Sequence, residues 1–532
     1  VPRQTFDAIV VGAGFAGLYM LHLLRAEGLA VKGLERGHGV GGTWYWNRYP
    51  GCRCDVESID YSYQFSDDLQ QAWTWTERYA AQPEILAYAE HVANRFHLLP
   101  LIQFDTRVTE AHYNEQTHRW TVATHTGDMF DTRYLIMATG CLSATNTPEF
   151  PGLQDFTGRT IHTGLWPQED VDFSGRRVGI IGTGSSAIQS IPIIAAQAAD
   201  LTVFQRTANF SVPARNGPID QDRVTRVKSN YGDYRRRARQ QAAAFGPDNP
   251  RSADSVFTAT PDERRARFEA HWEIGGFAFL GAFGDLMFNE DANAHAAEFV
   301  RSKIRATVRD PAVAELLSPK GIIGCKRLCA DTNYYETYNR ANVHLVDISQ
   351  QPIERFTPAG LVTGGKAYAF DDVIFATGFD AMTGTLLRMD IRGTCGQTLQ
   401  DKWAAGPLTY LGLMTAGFPN LFMMTGPGSP SVLANMVTGV EQHAEYIRDM
   451  IAWIRREHAH AIEATPEAEA QWVQAVNTRS QMTLYPRCNS WYLGANVPGK
   501  PRVFMPYIGF PDYSAKLDAV RDDAFVGFEL QR

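Results

Sequence analysis

Apolar residues open the chain as a short unbroken run, Phe6 to Val11, the pattern of a fully buried strand. Gly12-Ala13-Gly14-Phe15-Ala16-Gly17 follows. Leu18, Leu21 and Leu24 then recur at helical spacing to about Glu27, and Gly28 predicts the stop. Val31 to Leu34 predicts a second strand with Glu35 at its tip. The same order returns in mid-chain. Arg177 to Ile181 predicts a strand, Gly182-Thr183-Gly184-Ser185-Ser186-Ala187 a turn, Ile188 to Ala196 a helix, and Leu201 to Gln205 a strand followed by Arg206 and Thr207. Two more apolar runs, Tyr134 to Met137 and Val373 to Phe375, lead into Ala138-Thr139-Gly140 and Ala376-Thr377-Gly378, which predicts equivalent sheet positions in two related domains. From about 209 to 324 the pattern changes. Arg235-Arg236-Arg237 and Asp262-Glu263-Arg264-Arg265, among repeated Ala and Phe, predict helices of an inserted lobe whose charge runs are solvated faces. Thr409 to Gly428 is the most apolar long stretch. Gly417, Pro419 and Asn420 interrupt it, so it predicts two strands joined by a turn and not a membrane span.

Composition narrows the class. A chain of 532 residues exceeds one ordinary core, and 44% hydrophobic with 20% charged residues is a globular balance. Lys and Arg total 50 against 58 Asp and Glu, a net charge of −8, which argues against a nucleic-acid binder needing a basic face. The seven cysteines are odd in number and show only Cys52-x-Cys54 and Cys325-x-x-x-Cys329 as close pairs. Neither is a C-x-x-C redox motif or half of a zinc site, so reduced cytoplasmic thiols and no metal centre are expected. No basic segment followed by a long apolar run marks a secretory signal at the N-terminus.

The two glycine-rich turns carry the chemistry. Between strand and helix, their glycines let the backbone approach a pyrophosphate, and the helix N-terminus favours its charge. Glu35 can accept hydrogen bonds from ribose hydroxyls and would repel a 2′-phosphate, so the first site suits FAD or NAD. Arg206 replaces that acid in the second unit and, with Thr207, suits the 2′-phosphate of NADPH. An acid-marked and an Arg-marked site on one chain predict FAD reduced by NADPH. With no redox cysteine motif, the electrons leave for an external acceptor, O2 being the obvious one.

Phe156-Thr157-Gly158-Arg159-Thr160-Ile161-His162-Thr163-Gly164-Leu165-Trp166-Pro167 matches F-x-G-x-x-x-H-x-x-x-W-P just before the second unit. With Gly41-Gly42-Thr43-Trp44-Tyr45-Trp46-Asn47-Arg48-Tyr49-Pro50-Gly51 and Lys326-Arg327, it makes the chain resemble type I Baeyer–Villiger monooxygenases over nearly its whole length. The resemblance is nearest the phenylacetone and cyclohexanone branch, and Gly426-Pro427-Gly428-Ser429-Pro430-Ser431 and Trp491-Tyr492-Leu493-Gly494-Ala495-Asn496-Val497-Pro498-Gly499-Lys500 resemble the phenylacetone type more. The resemblance implies an α/β fold of two Rossmann-like dinucleotide-binding domains, for FAD and NADP, with an inserted helical lobe. It implies an FAD domain from 1–140 and 379–532, a linker with the fingerprint at 141–175, an NADP domain from 176–208 and 325–378, and the lobe at 209–324.

For single residues the resemblance implies that Gly12, Gly14, Phe15 and Gly17 line the FAD pyrophosphate and Glu35 holds the ribose. Thr43, Trp44, Tyr45 and Trp46 run beside the flavin, and Asp55, Tyr61, Val108 and Met436 also touch FAD. Thr183, Gly184, Ser185, Ser186, Ala187, Ile188 and Gln189 cradle the NADP pyrophosphate. Arg206, Thr207 and Lys326 take the 2′-phosphate. Arg53, Cys54, Asp55, Arg327 and Trp491 meet the nicotinamide end or clamp bound NADP. Arg327 is catalytic, stabilising the anionic flavin peroxide and its ketone adduct, and Asp55 orients it. The expected partners are a small ketone and O2, giving an ester or lactone, with no nucleic acid, no membrane and a monomer compatible with the chain. His162 is assigned to domain coupling, Cys141 to an inert buried thiol, Trp73 and Trp75 to core, Asp380 to structure, and Ser429 to Leu433 to a substrate-lining loop. Oxygenation of sulfur or nitrogen is the rival, although that group's fingerprint lacks the Trp166-Pro167 ending. A non-oxygenating NADPH–flavin reductase is the third reading, and it has no use for Arg327.

Overall fold

In the computed structural model, residues 3–532 are described, and Gln4–Val11 (β1), Phe15–Ala26 (α1) and Val31–Leu34 (β2) build the first unit. β1 is buried without interruption in its second half, as a parallel strand covered on both faces must be. It pairs in parallel with β2 through Ala8↔Val31 and on its other side with Met129–Met137. A hairpin of Val108–Asn114 and Arg119–Thr124 extends the sheet, and its alternating burial marks one covered face. Distant chain completes it: Asp390–Arg392 pairs with Val108–Asn114, and Leu421–Met423 with Met129–Met137.

The second sheet is built from Arg177–Ile181 (β3), helix Ser185–Gln197 (α2) and Asp200–Gln205 (β4). Its order is Val343–Asp347, β4, β3, Asp372–Phe375 and Arg159–His162, all parallel. The fingerprint segment is thus the edge strand of this sheet. The two Ala-Thr-Gly exits do occupy equivalent places. A Cβ on Gly12 (φ +107°) would stand 2.5 Å from the carbonyl oxygen of Ala138, and one on Gly182 (φ +115°) 2.4 Å from that of Ala376. Each turn therefore demands glycine for the same two reasons, a left-handed backbone and a neighbouring carbonyl.

Ser211–Pro213 pairs with Cys329–Asp331 at the base of the helical lobe. Its helices include Gln221–Ser229, Tyr231–Arg239, Pro261–Ile274 and Glu290–Thr307. Asp220, Thr260 and Asn289 cap the first, third and fourth of these, Thr260 in a reciprocal box with Glu263. Two expectations are corrected. The run Arg235-Arg236-Arg237 is not uniformly solvated: Arg235 is 5% exposed and donates to Gln70, to the Asp60 carbonyl and to Ser62, pinning the lobe to the first domain. Thr409–Gly428 holds the single strand Leu421–Met423 in place of two, because Tyr410 to Met414 closes as an isolated bridge.

Two carboxylates are buried at this junction. Asp60 accepts from the Tyr234 hydroxyl at 3.1 Å, and Glu441, in helix Met436–Arg456 (α3), accepts from the amides of Gln64 (2.6 Å) and Phe65 (2.9 Å). Burial pushes Asp60 up to about 6 and Glu441 up to about 7. The folded chain thus holds these protons at a pH where the unfolded chain has released them. Their contribution is complete below about pH 4 and is lost as pH rises through 6 to 7. Glu441→Gln removes one such proton dependence and keeps the accepting oxygen. Its stability advantage over the parent should grow by about 2–3 kcal/mol between pH 5 and pH 8 in thermal unfolding. Parallel pH profiles for the two proteins would contradict this assignment.

Candidate active site

A cavity of about 420 Å³ runs along the C-terminal ends of the first sheet. Gly12, Gly14 and Phe15 form its floor at the N-terminus of α1, a helix with no capping side chain and no acidic residue in its first turn. Those free amides face the cavity, the arrangement that binds a phosphate. Glu35, 5% exposed, accepts from the amides of Ala13 (2.8 Å) and Gly37 (2.6 Å), so one carboxylate ties the glycine turn to the end of β2. Burial raises its pKa against the pull of those amides.

Thr43, Trp44, Trp46, Tyr61, Val108 and Met436 line the same cavity. The Trp44 indole donates to the Tyr61 hydroxyl at 3.1 Å, giving an aromatic corner. Arg36, Arg107 and Arg388 also reach the wall, and Arg36 lies 4.2 Å over the Trp46 ring. Sequence reasoning missed all three. Arg36 at least adjoins Glu35, whereas Arg388 arrives from far along the chain with no local signal. Aromatic walls, an uncapped helix and three guanidinium groups fit a flavin dinucleotide. Gly17 does not line the cavity and instead packs on the carbonyl of Gly12. Tyr45 also lies off the wall: its hydroxyl accepts from the His38 amide at 3.1 Å and Arg48 covers its ring.

The second glycine turn is open. A Cβ on Gly184 would meet nothing within 4 Å, and α2 also starts with no side-chain cap and no acid. The Thr183 hydroxyl donates to the Thr207 carbonyl at 2.8 Å. Ser186 lies 3.3 Å from Thr163 of the fingerprint, so the linker touches the turn directly. Lys326 stands close enough to Arg206 that burial and this second cation depress its pKa. Among the described residues neither has a carboxylate within 4.0 Å. Two adjacent cations without a counter-ion fit a phosphate monoester. Gln189 departs from its expected place. Its amide spans the gap to the first domain, accepting from the Tyr49 hydroxyl (2.9 Å) and donating to the Arg53 carbonyl (3.0 Å).

Between the two sites stands Arg327. Its Nε and Nη2 donate to the two oxygens of Asp55 at 2.7 and 2.8 Å, and its Nη1 donates to the carbonyl of Val432 at 2.7 Å. The ring of Phe277, from the helical lobe, lies 5.1 Å beneath the guanidinium. Burial works against its charge, but Asp55 outweighs that and holds the group well above the usual range. Asp55 and Val432 take three of its five N–H bonds, and the Tyr492 hydroxyl also meets the guanidinium. Tyr61 on the cavity wall lies near enough to Asp55 and Arg327 to feel both charges, but neither Arg327 nor Asp55, which was expected to touch FAD, lines that cavity. Arg53 is not free to join it, being tied to Glu77 and to the Tyr79 carbonyl. Cys54 is buried, accepting from the Val56 amide, and burial raises its thiol pKa. Trp491 packs on Tyr492 at 4.3 Å between ring centres.

His162 accepts from the Gly164 amide (3.0 Å) and meets the Thr377 hydroxyl (3.2 Å), with burial lowering its pKa. It links the fingerprint to the Ala376-Thr377-Gly378 exit. A wider cleft of about 560 Å³, lined by Arg48, Glu90, Trp166 and Asp170, holds none of the predicted cofactor residues.

The pyridine nucleotide-disulphide oxidoreductase family matches residues 9–233. A Baeyer–Villiger monooxygenase of Pseudooceanicola batsensis is 45% identical over 99% of this chain and 96% of its own length. A phenazine N-monooxygenase of Lysobacter antibioticus is 42% identical over 99% and 97%. The solved structure of an oxidized steroid monooxygenase bound to NADP superposes with a TM-score of 0.94 at 52% identity, over 99% of this chain and 100% of that one.

Proposed function

This chain belongs to the Baeyer–Villiger monooxygenase family, and from that premise we propose how its own residues carry the reaction. It is an NADPH- and FAD-dependent monooxygenase. The balance is ketone, NADPH, a proton and O2 giving an ester or lactone, NADP⁺ and water. Bound FAD supplies the acceptance of hydride from NADPH and the activation of O2.

The uncapped N-terminus of α1 and the glycines before it hold the FAD pyrophosphate, with Glu35 on the ribose and Trp44, Trp46 and Tyr61 against the rings. Helix α2 does the same for NADPH, with Arg206 and Lys326 on the 2′-phosphate. Residues 1–140 and 379–532 serve FAD, 176–208 and 325–378 serve NADPH, 141–175 couple them, and 209–324 cover the site. The single observation that carries the reading is Arg327. A fixed cation, gripped by Asp55, stabilises the negative charge that builds on a carbonyl oxygen under attack. Asp55 keeps the guanidinium from turning away. Ser429 to Leu433 line the ketone site, anchored to the same cation through Val432. The ketone and O2 are its small-molecule partners, and the cytoplasm is its compartment. No helix among the described residues is long and apolar enough to cross a membrane.

A second reading is favoured by one observation, the full-length likeness to an N-oxygenating enzyme. A nitrogen or sulfur substrate attacks as a nucleophile, whereas a ketone is attacked. A panel of cyclic, aryl and linear ketones beside tertiary amines and sulfides separates them. Esters as the main products support the ketone reading, and N-oxides with no ester overturn it.

Arg206→Ala should weaken NADPH binding roughly 10- to 150-fold, the worth of one charge-assisted contact, and leave NADH nearly unchanged. The KM values for both nucleotides measure this. An equal loss for both would remove Arg206 from the 2′-phosphate site.

A further inference from the structure

We infer that Cys325 and Cys488 form a reversible dithiol–disulfide site that latches the segment carrying Trp491 onto the segment carrying Lys326 and Arg327 when hydrogen peroxide accumulates. The two cysteines are joined in this structure, with Cα atoms 6.3 Å apart across 163 residues of sequence. That corrects the expectation that every thiol stays reduced. Sequence spacing gave no hint of it, because the pairing partner is remote and the local pair, Cys325 with Cys329, does not bond.

Position gives the pair its consequence. Cys325 is fully buried and immediately precedes Lys326 and Arg327. Cys488 is partly exposed and lies three residues before Trp491 and four before Tyr492. The other contacts of this C-terminal segment are all reversible. Arg487 pairs with Glu290 at 2.5 Å on an exposed surface, Asn496 donates to the Phe379 carbonyl at 2.7 Å, and Lys500 meets Asp380 at 2.5 Å. A covalent link at residue 488 is the one tie that survives when those let go.

No other cysteine offers the same chemistry. Cys52, Cys54, Cys141 and Cys329 are buried, and burial pushes Cys52 and Cys329 up to about 12. Cys395 is exposed and has no cysteine partner. The thiolate of Cys488, the accessible member, attacks peroxide and becomes a sulfenic acid with loss of hydroxide. The Cys325 thiol then displaces the sulfenic oxygen. Two thiols and one hydrogen peroxide give one disulfide and two waters. NADPH oxidation that fails to transfer oxygen generates that peroxide in the same enzyme. The latch would then slow nucleotide exchange and hence further futile turnover. This consequence rests on the proposed roles of Trp491 and Lys326, whereas the cross-link itself does not.

The test compares holoenzyme reduced with a phosphine, the same protein treated with hydrogen peroxide, and Cys488→Ser. Non-reducing peptide mapping should find seven free thiols in the reduced protein and a 325–488 linked peptide after peroxide. Proteolysis within 488–500 and release of NADP⁺ should each slow by about tenfold or more on linkage and recover on reduction. Cys488→Ser should show neither change while its ester yield stays at the reduced-protein level. An unlinked pair under peroxide, or a linked protein cut and emptied as fast as the reduced one, overturns the proposal. Linkage with slowed proteolysis in a protein that makes no ester would instead fault the oxygenase reading alone.

Discussion

Arg327→Ala should keep oxidising NADPH and stop making ester. Hydride passes from nicotinamide to flavin without a charged partner at the substrate carbonyl, so reduction survives. Oxygen insertion should not, because on the proposed role of Arg327 the charge that builds on the carbonyl oxygen loses the cation that holds it. Removing one such preorganised donor costs about 10²–10³ in rate. Ester per NADPH consumed should therefore fall by at least about 100-fold, with hydrogen peroxide taking its place. Arg327→Lys should recover little, since an ammonium cannot bridge both Asp55 oxygens, the Val432 carbonyl and a substrate together. A normal ester yield from Arg327→Ala would take this residue out of the reaction.

Gly17→Ala should yield a protein that does not retain FAD. A Cβ at this position would stand 1.9 Å from the carbonyl oxygen of Gly12 and 2.8 Å from its carbon, a clash with backbone that no side chain can relieve. Helix α1 must then back away from the end of β1, taking its N-terminal amides with it. Overpacking of this kind costs about 1–3 kcal/mol or more, so the FAD dissociation constant should rise by about 100-fold. Visible absorbance of the purified variant and titration with FAD measure this. Gly184→Ala is the matched control, because its Cβ meets nothing within 4 Å. It should fold and stay yellow. A Gly17→Ala protein with the parent's flavin content would show that close approach of α1 is not what holds the cofactor.

How far the sequence carried depended on range. The two βαβ units were legible because strand, turn and helix are local, and their limits fell within a few residues: Phe6–Val11 was expected where Gln4–Val11 forms, and Ile188 to Ala196 where Ser185–Gln197 forms. The sheet equivalence of the two Ala-Thr-Gly exits was legible too, because one carbonyl contact shapes both. Side-chain direction was not. Tyr45 follows Trp44 in a single short turn, and one-residue steps there swing a side chain from the cavity to the His38 amide. Arg235 reads as a surface charge until Tyr231–Arg239 turns it onto Gln70 and Ser62. Long-range pairs were the hardest. Asp55 and Arg327 lie 272 residues apart, and family resemblance rather than spacing brought them together. Nothing comparable marked Arg388 or the Cys325–Cys488 link.

We propose that electrons from NADPH, passed through FAD, place one atom of O2 next to a ketone carbonyl beside Arg327. The most direct test supplies isotopically heavy O2 to the wild-type holoenzyme with NADPH and an accepted ketone, and weighs the product. An ester carrying one heavy oxygen for each NADPH consumed, with the other atom in water, is the expected result. Consumption of NADPH that leaves the ketone unchanged and sends both heavy atoms into hydrogen peroxide would contradict the proposal.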